Sequence, residues 1–259
     1  MNPLLEIKNL SVTVGCRADA KPILDNVSFF VGKGRITALV GGSGSGKTTV
    51  GMAILRLLDQ ALMVRSGQVL FENEDLLAVP EQHIRRVRGG QIAMVFQEPL
   101  DAFDPLFTIG QQIDEVLAAH TELSAQQRRQ KAMEVLSQVQ LPQPERVVRR
   151  YPHQFSGGQR QRAMIAQSIA CGPKLLIADE PTSNLDVVAQ AGVMDVLRAL
   201  KVQLDMSVIL ITHDLGMIAH IADDAVVLCE GRVVEAGPVG DIMTNPRHPY
   251  TQAMVKVFR

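Results

Sequence analysis

The sequence predicts an α/β fold built on a mostly parallel sheet, and three observations predict it. Four short apolar runs, Arg35–Val40, Ile92–Phe96, Lys174–Asp179 and Ser207–Ile211, have the composition of strands buried on both faces. Segments with helical apolar spacing, such as Lys47–Leu58 and the stretch from about 108 to 140, alternate with them. The region from about 98 to 165 carries no strand signal and reads as a helical insertion into that core. At 259 residues the chain has the length for one large domain or two small ones, enough to bury a substantial core. Hydrophobic residues at 46% and charged residues at 20% are the balance of a globular chain, not a disordered one.

The elements follow in order. Leu5–Val14 alternates apolar and polar residues, the pattern of a half-buried strand. Gly15 to Pro22 is a polar turn, Ile23–Val31 a second strand, and Gly32-Lys33-Gly34 breaks it. Residues 66–77 return to short strand and turn signals. Ile109, Ile113 and Leu117 recur at spacings of four, and Ser124–Gln138, charged and Gln-rich, suits an exposed helical face. A helix is expected from Arg160 to Ala170. Ala225–Leu228 leads into Glu230-Gly231-Arg232, a hairpin-type turn. No internal repeat or low-complexity segment is visible.

Composition excludes several classes. Lys and Arg number 26 against 27 Asp and Glu, which leaves no basic excess to grip nucleic acid. Aromatics are 4%, with no Trp, so base stacking is not a main activity. Cys16, Cys171 and Cys229 are far apart and form no CxxC pair, which argues against a disulfide framework or a zinc site and for reduced thiols. The first residues, MNPLLEIKNL, lack a basic region followed by an apolar core, so no secretory signal is expected there. No uncharged apolar stretch approaches 18 residues, so a membrane role is expected to come through a partner.

Gly41-Gly42-Ser43-Gly44-Ser45-Gly46-Lys47-Thr48, followed by Thr49, fits G-x-x-x-x-G-K-[ST] between a buried strand and a helix. The glycines let consecutive N–H groups turn inward around phosphate oxygens, and the helix points its positive end at the same charge. Lys47 is placed to reach β- and γ-phosphates and the Thr48 hydroxyl to ligate Mg²⁺. Leu175–Ala178 is an apolar strand ending in Asp179 and Glu180. Ligands gather at the carboxyl ends of parallel strands, so Asp179 is expected to hold Mg²⁺ through its water shell. Glu180 is the candidate to accept a proton from an attacking water, or to orient it. Phe155-Ser156-Gly157-Gly158-Gln159 precedes the helix from Arg160 and offers a second anion site: a hydroxyl, bare N–H groups and a dipole. One phosphate loop does not need a second such site for the same nucleotide.

These motifs, in this order, resemble the ATPase subunits of ABC systems over nearly the whole chain. The set comprises the phosphate loop, Gln97 in VFQEP, FSGGQ at 155–159, LLIADEP at 175–181, Ser183-Asn184-Leu185-Asp186, and His213 in ITHD. The resemblance implies ATP and Mg²⁺ as cofactors and two subunits packed head to tail. Ser156, Gly157, Gly158 and Gln159 of one would then close on the γ-phosphate held by the loop of the other. By the same resemblance Gln97 senses Mg²⁺ and the attacking water, Asp186 lies at the dimer interface and His213 contacts the γ-phosphate. The implied architecture is one domain over 1–259, a mostly parallel P-loop core with an antiparallel β subdomain and a helical subdomain. Residues 1–97 and 166–235 form the nucleotide-binding core, 98–165 a helical subdomain and 236–259 a short tail.

Two departures stand out. The family commonly places an aromatic in the first strand region to stack on adenine. Here Val14 sits about there, and the first aromatic of the chain is Phe29. The glycine signature begins with Phe155 where Leu is usual.

Asn245-Pro246-Arg247-His248-Pro249-Tyr250-Thr251 resembles the tail motif of oligopeptide, dipeptide and nickel importer ATPases. Leu100-Asp101-Ala102-Phe103-Asp104-Pro105, with Gly110-Gln111-Gln112, resembles the same group. The short stretch after the motif is closer to nickel or metal-chelate members. The six histidines, His83, His120, His153, His213, His220 and His248, form no metal-ligand pattern. The implied partners are a second ATPase subunit, identical or homologous, two transmembrane permease subunits and, indirectly, an extracytoplasmic solute-binding protein. The implied location is the cytoplasmic face of a bacterial inner membrane. A non-transport ABC ATPase, such as an accessory subunit of phosphonate breakdown, is the alternative.

Overall fold

The computed structural model describes residues 3–15, 21–98 and 102–258. Cys16, Pro99, Leu100 and Asp101 lie outside them. The chain divides into two compact units, Met1–Ile84 with Ser207–Arg259, and Arg85–Met206.

In the first unit an antiparallel sheet runs in the order β2 (Pro22–Val31), β1 (Leu5–Val14), β4 (Leu62–Phe71), β5 (Glu74–Asp75). The alternation along β1 is not continuous. Leu5 and Ile7 are buried, then Leu10 and Val12, so the inward parity flips between them. Asn9 makes the flip. It adopts φ 50°, which a short polar side chain tolerates, and the register against β2 slips between Ile7 and Leu10. β4 begins at Leu62, earlier than the sequence signals, because its first residues pair with the end of β1, Leu62 opposite Val14.

The same unit holds the parallel strands. β3 (Ile36–Val40) is buried at every position and pairs in parallel with β8 (Ser207–Thr212) on one side and β9 (Asp224–Cys229) on the other. A strand with no free edge and two covered faces is necessarily short and apolar. β10 (Arg232–Pro238) returns antiparallel to β9. The Arg35 guanidinium meets Asp224 with bonds of 2.6 and 2.8 Å, tying the start of β3 to the start of β9. α1 (Lys47–Ile54) follows β3 directly after the glycine loop. It stops short of Leu58 because Arg56 turns left-handed at φ 53°. The Leu57 N–H then reaches back to the Met52 carbonyl at 2.8 Å, closing the helix end.

α2 (Glu81–Val87) carries the chain from the first unit into the second. There β6 (Ile92–Val95) and β7 (Leu175–Asp179) pair in parallel, both fully buried. The helices between them are α3 (Ile109–His120), α4 (Ala125–Gln138), the short α5 (Pro144–Val147) and α6 (Gly157–Ile169); α7 (Val187–Gln203) follows β7. Thr108 with Gln111 and Ser124 with Gln127 form capping boxes that start α3 and α4. Asp114 receives Arg128 at 2.8 and 3.3 Å and locks the two helices. In the first unit α8 (Leu215–Ile221), α9 (Val239–Thr244) and α10 (Pro249–Phe258) complete the chain. Among the described residues no helix is long and apolar enough to cross a membrane.

Leu39 is fully buried between the two parallel neighbours of β3. Leu39→Ala is expected to lower the unfolding free energy by about 2–5 kcal/mol, read as a lower urea midpoint at unchanged slope.

Candidate nucleotide site

β3 delivers the glycine loop to the carboxyl edge of its sheet, and each loop residue has a structural reason. Gly41 passes so close to β9 that a Cβ would run into the Leu228 carbonyl. Gly46 has φ 100°, and a Cβ there would stand 2.6 Å from Leu24 Cδ2. The Ser45 N–H bonds the Gly42 carbonyl at 3.2 Å, and the Gly231 N–H of the β9–β10 turn bonds the Ser45 carbonyl at 3.1 Å. The Ser45 hydroxyl is buried with no partner.

α1 opens on Gly46 with no side-chain cap and no acidic residue in its first turn. No side chain of the helix start caps its leading N–H groups, which favours an anionic acceptor there. Lys47 is buried, and its ammonium donates to the Gly41 and Gly42 carbonyls, at 2.9 Å each. Thr48 is exposed beside it and Thr49 half-buried; Gly42, Ser43 and Gly44 are exposed. An uncapped helix start, a concave glycine loop and a lysine laid along its carbonyls make a receptor for a chain of phosphates. His213 leaves the same edge. Thr212 is the register partner of Val40, so His213 and Gly41 are the next residues on adjacent parallel strands. His213 is exposed, and Asp214 caps α8 through the Met217 N–H at 3.1 Å.

The second unit assembles its own group. Val95 and Ala178 are register partners, so Gln97 and the Asp179-Glu180 pair emerge side by side from β6 and β7. Asp179 is 3% exposed. Glu180 adopts φ 44°, and its carboxylate accepts the Gln97 carboxamide N–H at 3.1 Å. The Ser183 hydroxyl donates to the Gln97 carbonyl at 3.3 Å, and the Asn184 amide to the Glu98 carboxylate at 2.9 Å.

The signature lies in the same unit. Ser156 and Gln159 form a capping box on α6, with the Ser156 hydroxyl accepting the Gln159 N–H at 3.4 Å. That leaves the hydroxyl hydrogen and a second lone pair for another group. Ser156 and Gly157 are exposed. Cβ atoms at Gly157 and Gly158 would meet Leu185 Cδ2 at 3.1 Å and Ala189 Cβ at 3.0 Å, so both glycines serve close packing on the segment around Asp186. Asp186 caps α7 through the Ala189 N–H at 2.8 Å. Phe155 is buried, and the Arg150 guanidinium lies 4.3 Å over its ring, a contact that the usual Leu does not offer.

The first unit thus gathers residues 41–49 with His213. The second gathers Gln97, Asp179 and Glu180, and places Ser156–Gln159 against the Asp186 turn. Sequence reasoning missed the Asn184–Glu98 bond and, in the first unit, the Tyr250 hydroxyl that accepts the Gly42 N–H at 2.8 Å. The only signal for the second was a tail motif with no chemistry attached to it.

Comparison with known proteins places this geometry. Residues 24–183 match the family model described as ABC transporter. The oligopeptide transport ATP-binding protein OppD of Bacillus subtilis is 42% identical over 253 residues, covering 97% of this chain and 71% of that protein. The dipeptide transport ATP-binding protein DppD of Haemophilus influenzae is 43% identical over 253 residues, covering 98% and 77%. Among solved structures, a dimeric post-hydrolysis state of the ATP-binding cassette MJ0796 bound to ADP and Pi superposes with TM-score 0.79 at 27% identity, covering 91% of this chain and 98% of that one. The chain belongs to the ABC transporter family and is one of its ATP-hydrolysing subunits.

Proposed function

We propose that the protein powers a bacterial peptide importer by ATP-driven closure of a pair of such subunits. The observation that carries this is the uncapped start of α1 behind the glycine loop, with Lys47 held against the Gly41 and Gly42 carbonyls. Nucleotide phosphates satisfy those N–H groups, and Lys47 exchanges two carbonyls for β- and γ-phosphate oxygens. The Thr48 hydroxyl in the first unit, and the Asp179 carboxylate and Gln97 carboxamide in the second, are each oxygen donors of the hard kind Mg²⁺ takes. The ion, once held there, offsets charge on the phosphates. Glu180, oriented by Gln97, takes the proton of the attacking water, and His213 contacts the γ-phosphate.

The exposed Ser156–Gly157 head of α6 closes on the nucleotide of a second subunit, identical or homologous, and Asp186 lies at that interface. ATP favours the closed pair because each nucleotide then contacts both chains, and hydrolysis removes the preference. Residues 98–165 act as the helical subdomain and 236–259 as the tail of one working domain. The pair sits at the cytoplasmic face of the inner membrane on two permease subunits, with a solute-binding protein acting indirectly. The names of OppD and DppD support peptides over nickel or metal chelates as cargo.

Glu180→Gln is expected to bind ATP yet lower turnover by about 10²–10⁴-fold, and to accumulate an ATP-bound pair on size exclusion. Normal turnover in that variant would refute the assigned role. Ser156→Arg should leave ATP affinity of the single subunit unchanged and abolish pairing, which sedimentation velocity with ATP reads directly. Val14 is 46% exposed and offers no ring to adenine, and stacking on an aromatic is worth about 1–3 kcal/mol per base. Competition binding should therefore show ATP and GTP close in affinity, and Val14→Tyr should tighten ATP by about fivefold or more. A strong ATP preference that Val14→Tyr leaves unchanged would count against weak stacking.

A further inference from the structure

The tail motif has no part in the mechanism above, and the structure gives it a contact with the phosphate loop. Tyr250 stands in the first turn of α10, and its hydroxyl accepts the Gly42 N–H at 2.8 Å across 208 residues of chain. The approach is close. A Cβ on Gly42 would lie 3.2 Å from the Tyr250 oxygen.

The helix start that carries Tyr250 is itself clamped. Glu235, on β10, accepts the Arg247 N–H at 2.8 Å and the His248 N–H at 3.0 Å. His248 Nδ1 in turn accepts the Tyr250 N–H at 3.2 Å. Burial pushes the Glu235 carboxyl up, but the backbone N–H bonds from His248 and Arg247, with the Thr251 hydroxyl and the charge of His248, together hold it below its ordinary range. Thr251 and Val255 are buried as α10 packs on α8 and β10. The ring is therefore aimed by a rigid support, and the loop it touches is rich in glycine, whose free-state entropy is the largest of any residue.

Gly42 is held at both of its peptide groups, its N–H by Tyr250 and its carbonyl by Lys47. Lys47 has to leave that carbonyl to reach phosphates. Tyr250 can stay, because it takes the Gly42 N–H alone and leaves the N–H groups of the exposed Ser43 and Gly44 to the phosphates. We propose that Tyr250 is a positioning residue for nucleotide binding: its hydroxyl keeps the Gly41–Gly46 loop in its receiving shape while no phosphate orders it. Tyr250 acts this way only if the loop takes the nucleotide, as proposed above.

The test is Tyr250→Phe, which keeps the ring and removes the oxygen. MgATP and MgADP binding to the full chain are measured by titration calorimetry, with Lys47→Ala as the reference for a disabled loop. One lost hydrogen bond predicts that both affinities fall by about three- to tenfold, and by the same factor, since the contact lies at the loop and not at the γ-phosphate. KM for ATP should rise by that factor while kcat stays within about twofold and the thermal midpoint is unmoved. Glu235→Gln, which loosens the clamp without touching the loop, should shift affinity in the same direction. It should add nothing to Tyr250→Phe in the double variant, because both act through one contact. Should Tyr250→Phe fail to fold, Glu235→Gln decides alone. Unchanged affinities, or a fall in kcat at unchanged KM, overturn the role of Tyr250. If Lys47→Ala still abolishes binding, the nucleotide site survives that result. If Lys47→Ala binds like the unaltered chain, both fall together.

Discussion

The structure depends on a helix start that no side chain caps. β3 has neighbours on both edges and no exposed residue, so it ends abruptly at the sheet edge and hands the chain to a loop with almost no side chains. α1 then begins with no side-chain cap and no acidic residue in its first turn. Thr108, Ser124, Ser156, Asp186 and Asp214 supply a capping oxygen to α3, α4, α6, α7 and α8. α1 shares its lack of a side-chain cap with the short α5 and α9, and of the three it is the one that follows a glycine loop. Buried or loop-enclosed N–H groups demand acceptors, and a phosphate chain supplies several at once while its charge meets the positive end of the helix.

Much of this was legible because the informative signals are local. A buried strand, a glycine loop and a Lys-Thr pair are contiguous, and so are Leu175–Asp179 with Glu180. The signature was legible as a capped helix start, and its geometry follows from Ser156 and Gln159 alone. What escaped was what depends on partners distant in sequence. The parity flip in β1 needs the left-handed Asn9 and the facing strands, neither of which the alternation of Leu5–Val14 announces. The bond from Gln97 to Glu180 spans 83 residues, and the tail contact on Gly42 spans 208. The helix over Val187–Gln203 was not read because the residues that open it, Val187 and Val188, are exposed valines with weak helical preference. Its start is set by the Asp186 cap and its inner face by burial, with Val193, Val196, Leu197 and Leu200 inward.

The second unit shows how roles assigned residue by residue become one assembly. Glu180 sits in a left-handed turn and shares a hydrogen bond with Gln97. The turn beyond it returns two further bonds, from Ser183 to the Gln97 carbonyl and from Asn184 to Glu98. Any displacement of the strand end at Gln97 therefore moves the candidate base and the turn leading to Asp186 together. Gly157 and Gly158 extend the linkage, because their missing side chains let the head of α6 rest on Leu185 and Ala189. Three stretches far apart in sequence, 97–98, 156–159 and 180–189, thus answer to one another through short polar bonds and close packing. That is what coupling through a contiguous network requires of the side chains involved.

The loop in the first unit is held by the same logic from an unexpected direction. The family match ends at residue 183, yet two hydrogen bonds on the loop backbone come from later in the chain. The Ser45 carbonyl is fixed by the Gly231 N–H, and Gly231, at φ 78°, gives its own carbonyl to Asp25 at 2.9 Å. The Gly42 N–H is fixed by Tyr250. A glycine-rich loop is cheap to bend and costly to order, so whatever orders it before the ligand arrives adds to affinity. The hairpin between β9 and β10 and the tail helix do this at two separate points, one peptide before and one peptide after the exposed Ser43–Gly44 tip. The candidate phosphate loop thus takes its chemistry from its motif, and two of its backbone hydrogen bonds from residues 231 and 250.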